Sequence, residues 1–235
     1  MKRCWAMGYG ACDEGISREH FVSKGIFDQK TIFVQGFEWC RDELVEVGLS
    51  AITRKMLCRK HNSQLEVVDR GGISAIEAFE GRGEPLVNGR LFERWLLKTA
   101  LNVSFQGPHR IGCGMTDGGP GIPPPYLQAV VFGELPFTHR MGAYLILPDD
   151  KYEIHPGSIS VMPIHRDGEI GGFLFHLRGL NWLLSLLPGH APPALGTIGV
   201  TGIPEHLLNT QPLYRVPKIH HSVNGGAFFS VEFEW

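Results

Sequence analysis

A chain of 235 residues with 43% hydrophobic and 20% charged side chains has apolar material for one large domain, or for a small module beside a mid-sized one. That balance excludes a disordered chain, and a net charge of −2, with 11 Lys and Arg against 10 Asp and Glu in residues 1–70, excludes the strong positive excess of a general nucleic-acid clamp. Five cysteines, no run of about 18 apolar residues, and no apolar segment after the basic start Met1-Lys2-Arg3 point to a cytoplasmic protein with reduced thiols and no membrane span.

Residues 1–15 are rich in Gly and Cys and read as a knuckle. Ile16 to Phe27 alternate loosely, as a short strand with its exit loop, and Thr31-Ile32-Phe33-Val34 reads as a second strand. Trp39 to Val47 suggests a short helix or irregular insert. From Cys58 the apolar spacing of Leu57, His61, Leu65 and Val68 predicts a helix that stops at Gly71-Gly72, and Ser74-x-x-Glu77 has the form of a capping box opening the next one. Residues 90–104 give the clearest helix, with Leu91, Phe92, Trp95, Leu96, Thr99, Ala100 and Val103 on one broad apolar face.

The composition changes beyond residue 106. Residues 107–125, with the glycines of Gly112–Gly121 and Pro123-Pro124-Pro125, read as a long loop or a boundary. Strands are expected at Tyr126–Phe132, Ala143–Leu147, Ser158–Ile164 and Gly171–Leu177, with a hairpin turn at Arg166-Asp167-Gly168 and a helix at Leu180–Leu187. The tail alternates, with Phe229, Val231, Phe233 and Trp235 on one side of a strand. The expected class is α+β: a module in residues 1–70, a helical connector in 71–106 and a β-rich region in 107–235.

Structural zinc sites combine thiolates and imidazoles from two short-spaced pairs. Cys58-x-x-His61 has that spacing. Cys4 and Cys12 form a wider pair, whose loop contains Gly8 and Gly10. These four are the expected zinc ligands; the alternative is that Cys4 and Cys12 are unrelated buried thiols. Cys40 and Cys113 read as core thiols.

Between the two pairs lies Ser17-Arg18-Glu19-His20, and Asn62-Ser63 follows the second pair at once. This order resembles the HNH (ββα-metal, or His-Me finger) endonucleases, in particular their zinc-stapled branch, over residues 4–70. The resemblance implies that His20 is a general base and that Glu19 and Asn62 give oxygens to a catalytic Mg²⁺ or Mn²⁺. The implied reaction is hydrolysis of a phosphodiester bond, most readily in DNA, leaving a 5′-phosphate. A single module would nick one strand, so cutting both needs a homodimer or two visits. The chain has Glu19 where the family often has Asp, and Leu49 to Lys55 lacks the middle Asn that braces the base's loop; Ser50 or Thr53 could stand in.

Arg18, Lys24, Arg54, Lys55, Arg59 and Lys60 surround these motifs and would make phosphate contacts that position a strand without reading its sequence. The modest charge implies help from an activating protein partner, and bacterial or phage defence is a natural setting. Two other readings stay open: a catalytically inactive zinc-bearing binding module, and an RNA-directed nuclease. His155, His165, His176, His220 and His221 read as structural histidines.

Overall fold

The computed structural model describes residues 4–13, 15–34, 40, 43, 45–105, 109–112, 115, 119, 121–138, 140–147, 159–189, 194–197, 199, 201–222 and 228–235. The class is α+β, with no closed barrel among the described residues. Strand β1 (Ile16–His20) carries the Glu-His pair. Strands β2 (Thr31–Val34) and β3 (Val45–Gly48) form an antiparallel ribbon of their own, and β4 (Thr53–Cys58) returns antiparallel beside β1. The register shifts where Ser17 pairs with Leu57 and Arg18 with Lys55, which leaves Met56 of β4 as the extra, unpaired residue. Helix α1 (Arg59–Gln64) follows β4 directly, completing a β-β-α unit with the β2–β3 ribbon inserted.

Helix α2 (Glu66–Phe79) corrects the prediction at Gly71-Gly72: it runs through both glycines, and Ser74 lies in its interior rather than capping a new helix. The cause is close packing. A methyl on Gly72 would drive into the indole of Trp95, and one on Gly71 would meet Leu91 Cβ at 2.6 Å, so these glycines let the next long helix lie against the α2 backbone. The break falls instead at Leu65, between α1 and α2. The predicted boundary at residue 70 therefore lies inside α2.

After β5 (Leu86–Asn88), helix α3 (Gly89–Ser104) matches the predicted 90–104 helix but is buried nearly all round. It is the hub of the molecule. Phe92 meets Trp182 at 4.9 Å between ring centroids, and Phe79, Phe92, Trp182 and Phe233 form one aromatic cluster. The main apolar core runs from Cys4 to Phe233, so residues 4–70 share it with the rest of the chain.

Helix α4 (Pro125–Phe132) replaces the predicted Tyr126–Phe132 strand. Pro125 in its first turn and Gly133 closing it at φ 84° supply start and stop signals that outweigh the β-type side chains between them. Strands β6 (Gly142–Ile146), β7 (Ile159–Arg166), β8 (Glu169–Leu177), β9 (Leu180–Ser185) and β10 (Pro212–Tyr214) form an antiparallel sheet in the order β10-β6-β9-β8-β7. The hairpin turn at Asp167-Gly168 is where the sequence places it. The predicted Leu180–Leu187 helix is instead β9. It is an inner strand covered on both faces, so it lacks the alternation that marks a half-exposed strand. Trp182 and Leu184 face the main core, while Leu183 joins a smaller cluster with Tyr144, Ile164 and Leu207.

Strands β11 (Lys218–Ser222) and β12 (Phe228–Glu234) form a hairpin, and β12 pairs in parallel with β5. The predicted insert Trp39–Val47 ends in strand β3, and its residues 39, 41, 42 and 44 lie outside the described residues. So do Cys113, His155 and most of Gly112–Gly121. Among the described residues no helix is long and apolar enough to cross a membrane.

Candidate metal centre and the Glu-His loop

The side chains of Cys4, Cys12, Cys58 and His61 converge, with one ligand atom from each lying within 4.8 Å of the others. His61 Nδ1 is 3.3 Å from the sulfurs of Cys4 and Cys58 and 3.8 Å from that of Cys12. Tetrahedral zinc with usual bond lengths sets sulfur–nitrogen separations of roughly 3.5 Å. The four residues thus form a cluster that could hold a metal such as zinc. Local geometry explains the second pair. Cys58 caps α1, its sulfur accepting from the His61 N–H at 3.4 Å, so both ligands of Cys-x-x-His face one way. Burial pushes the Cys4 thiol up to about 12.

The wide Cys4–Cys12 loop is held by contacts beyond residue 70. Phe132 of α4 stacks on Tyr9 at 3.9 Å and lies 5.5 Å from the His61 ring and 6.3 Å from Trp5. Tyr9 donates to Glu134 at 2.9 Å. The Asp13 carboxylate accepts from the Lys60 N–H at 3.0 Å, capping the α1 end from the same loop.

Glu19 turns inward from β1 and is only 8% exposed. The Asn62 side chain approaches its carboxylate closely enough to favour the charged form, so the predicted pair is brought together. Lys98 and Asp69 meet there too. The Lys98 ammonium lies 3.3 Å from Glu19 Oε1 and 2.7 and 2.6 Å from the two Asp69 oxygens, and Ser23 Oγ donates to Asp69 at 2.6 Å. Burial pushes the Glu19 carboxyl up, while Lys98 pulls it down. His20 is half-buried at the strand end. Burial lowers its pKa, and the Lys24 and Lys98 charges lower it further, against Asp69. Among the described residues its ring makes no hydrogen bond.

Helix α3 fixes this loop through a polar stripe at Trp95, Lys98 and Asn102. Trp95 Nε1 donates to Ser23 Oγ at 2.8 Å. Asn102 Nδ2 donates to the carbonyls of His20 at 3.1 Å and Phe21 at 3.4 Å, and its Oδ1 accepts from Trp5 Nε1 at 3.0 Å. Neither proposed stand-in, Ser50 or Thr53, makes this brace; Thr53 Oγ1 donates to Ser50 O. The sequence reading missed Asp69, Lys98 and Asn102. The visible signal for Lys98 and Asn102 is a polar stripe with Trp95 at i, i+3, i+7 on a helix face that otherwise reads as core.

The basic residues divide into two sets. Arg18, Lys24, Lys55 and Arg59 are exposed, with Arg18 and Lys55 cross-strand partners. Arg54 instead donates to the carbonyls of Ala51 and Thr53 and lies over the Phe21 ring, and Lys60 Nζ donates to Ala11 O, so both are engaged locally. Cys40 is buried, as expected of a core thiol. His221 bonds Phe79 O and His220 bonds Ser230 Oγ, while buried His165 Nε2 and His176 Nε2 have no partner among the described residues.

No family model matches the chain, and no curated protein or solved structure matches it. What the site can do chemically rests on its own geometry. A cluster that could hold a metal sits at the start of a helix whose next residue, Asn62, approaches a buried carboxylate beside a half-exposed histidine.

Proposed function

We propose that this protein is a metal-dependent endonuclease of the HNH type that hydrolyses phosphodiester bonds, most readily in DNA. The observation that carries this reading is the meeting of Asn62 with Glu19 directly beside the Cys4–Cys12–Cys58–His61 cluster. Zinc held by Cys4, Cys12, Cys58 and His61 would tie the N-terminal loop to α1, the helix that carries Asn62. Glu19 and Asn62 would hold one Mg²⁺ or Mn²⁺, a hard cation suited to oxygen donors, which when bound supplies charge neutralisation at the phosphate.

His20 takes a proton from the attacking water. Its lowered pKa keeps the imidazole neutral near pH 7, as a proton acceptor must be. The water oxygen bonds to phosphorus, the bond to the 3′ oxygen breaks, and the leaving oxygen collects a proton from solvent, leaving a 5′-phosphate. Exposed Arg18, Lys24, Lys55 and Arg59 would contact flanking phosphates. Residues 1–70 carry nearly balanced charge, so an activating partner or a homodimer would complete the grip.

One observation favours a second reading, a zinc-bearing module without hydrolytic activity: the Lys98 ammonium already balances Glu19. Incubating the zinc-containing chain with supercoiled plasmid and with RNA, in Mg²⁺ or Mn²⁺, separates the two. Nicked circles that disappear with a chelator support the endonuclease, cleavage of RNA alone moves the substrate to RNA, and intact plasmid and RNA in both ions favour the second reading.

A further inference from the structure

Lys98 is 2% exposed, yet it projects from α3 to where the carboxylates of Glu19 and Asp69 meet. An ammonium taken out of water is tolerated only where its donors are satisfied and its charge is balanced. Both conditions hold: the two Asp69 oxygens lie at 2.6 and 2.7 Å and Glu19 Oε1 at 3.3 Å. Such burial keeps a substrate phosphate from reaching Lys98, so its effect must pass through the carboxylates. The contacts are also unequal. Asp69 holds the ammonium with both oxygens, whereas Glu19 is the longer, weaker partner, and its carboxylate is the one that Asn62 also reaches.

We propose that Lys98 is a positioning residue acting as the internal counter-cation of the site, an inference that rests on the endonuclease reading. Without a divalent ion it holds Glu19 and Asp69 side by side against their mutual repulsion. When an ion is present, Lys98 competes with it for Glu19 and so limits its affinity, while Asp69 retains the ammonium. Lysine suits this task, because a compact charge on a flexible stem can move between two acceptors where a planar guanidinium would fix both. The helical connector thereby sets the ion affinity of the β-β-α unit.

The test titrates Mn²⁺ alone into the purified zinc-containing full chain by calorimetry, with zinc content measured in every sample. Lys98→Met is expected to bind Mn²⁺ about tenfold more tightly than the wild-type chain, or better, because a competing positive charge beside the ligand is gone. Lys98→Gln keeps a donor against Asp69 without the charge; it gives the same gain and serves if the Met variant does not fold. Lys98→Arg restores the charge and is expected to bind Mn²⁺ no more tightly than wild type. Equal Mn²⁺ affinity in wild type and the two uncharged variants overturns the inference and leaves the endonuclease reading standing, and so does weaker binding in folded uncharged variants. No Mn²⁺ binding by any of the four proteins removes both the inference and the divalent ion of the proposed reaction.

Discussion

The Asn102 side-chain amide donates to the carbonyl of His20 across 3.1 Å, although 82 residues separate the two in sequence. The same side chain accepts from Trp5 Nε1, so one residue of α3 fixes both the loop carrying the proposed base and the loop carrying the first cysteine. The resemblance to HNH endonucleases leads one to expect a bracing Asn near residues 49–55, whereas Asn102 on α3 holds this loop. Asn102→Ala strips a buried indole N–H and a backbone carbonyl of their partner. The expected cost is about 2–4 kcal/mol in denaturant melts. Plasmid nicking should also fall while bound zinc is retained; nicking at the wild-type rate would show that the brace is not needed for the reaction.

The convergence of Cys4, Cys12, Cys58 and His61 was legible in the sequence, because Cys58-x-x-His61 is a local signature and Cys4 with Cys12 makes up a tetrahedral number. The partner of Glu19 and the brace of the His20 loop were not. Lys98 and Asn102 lie far along the chain, on a helix whose Leu96, Leu97, Ala100 and Leu101 announce only burial. Strand β9 and helix α4 were misread for a related reason. Inner strands lose their alternation, and Tyr126 to Phe132 becomes helical through Pro125 and Gly133 at its ends, not through its own propensity.

Gly72 tests the close approach of α2 to α3. Alanine inside a helix would ordinarily gain about 1 kcal/mol over glycine. Here the methyl enters the Trp95 indole, which is itself held by its bond to Ser23. Overpacking should win, with Gly72→Ala losing roughly 2 kcal/mol net, or about 4–8 °C in Tm for a chain of this size. A rise in Tm would mean that the helices separate at little cost.

Two ion pairs between charged side chains should behave oppositely. Glu93 of α3 is nearly buried, accepts from the Ala143 N–H at 2.8 Å, and is gripped by Arg215 at 3.1 and 2.8 Å. Arg215→Ala leaves that carboxylate uncompensated and should cost about 3–5 kcal/mol. Lys218→Ala, which breaks the exposed pair with Glu232, should leave the melt unmoved. Similar losses in the two variants would contradict this account of how the C-terminal strands are locked onto α3.

Elemental analysis of the purified chain should find about one zinc per molecule. Cys58→Ser removes a thiolate donor from the cluster while its hydroxyl can still cap α1. It should lose the zinc and more than about 3 kcal/mol of stability, or roughly 6–12 °C in Tm. A variant that melts with the wild type would mean that the cluster does not staple the fold.

The most direct test of the endonuclease reading is plasmid nicking by His20→Ala. His20 is half-buried at a strand end and its ring has no partner among the described residues, so its removal should leave zinc content and melting temperature unchanged. With Mg²⁺ or Mn²⁺ the variant should nick supercoiled DNA at least about a hundredfold more slowly than the wild-type chain. Nicking by His20→Ala at the wild-type rate would contradict the proposed mechanism.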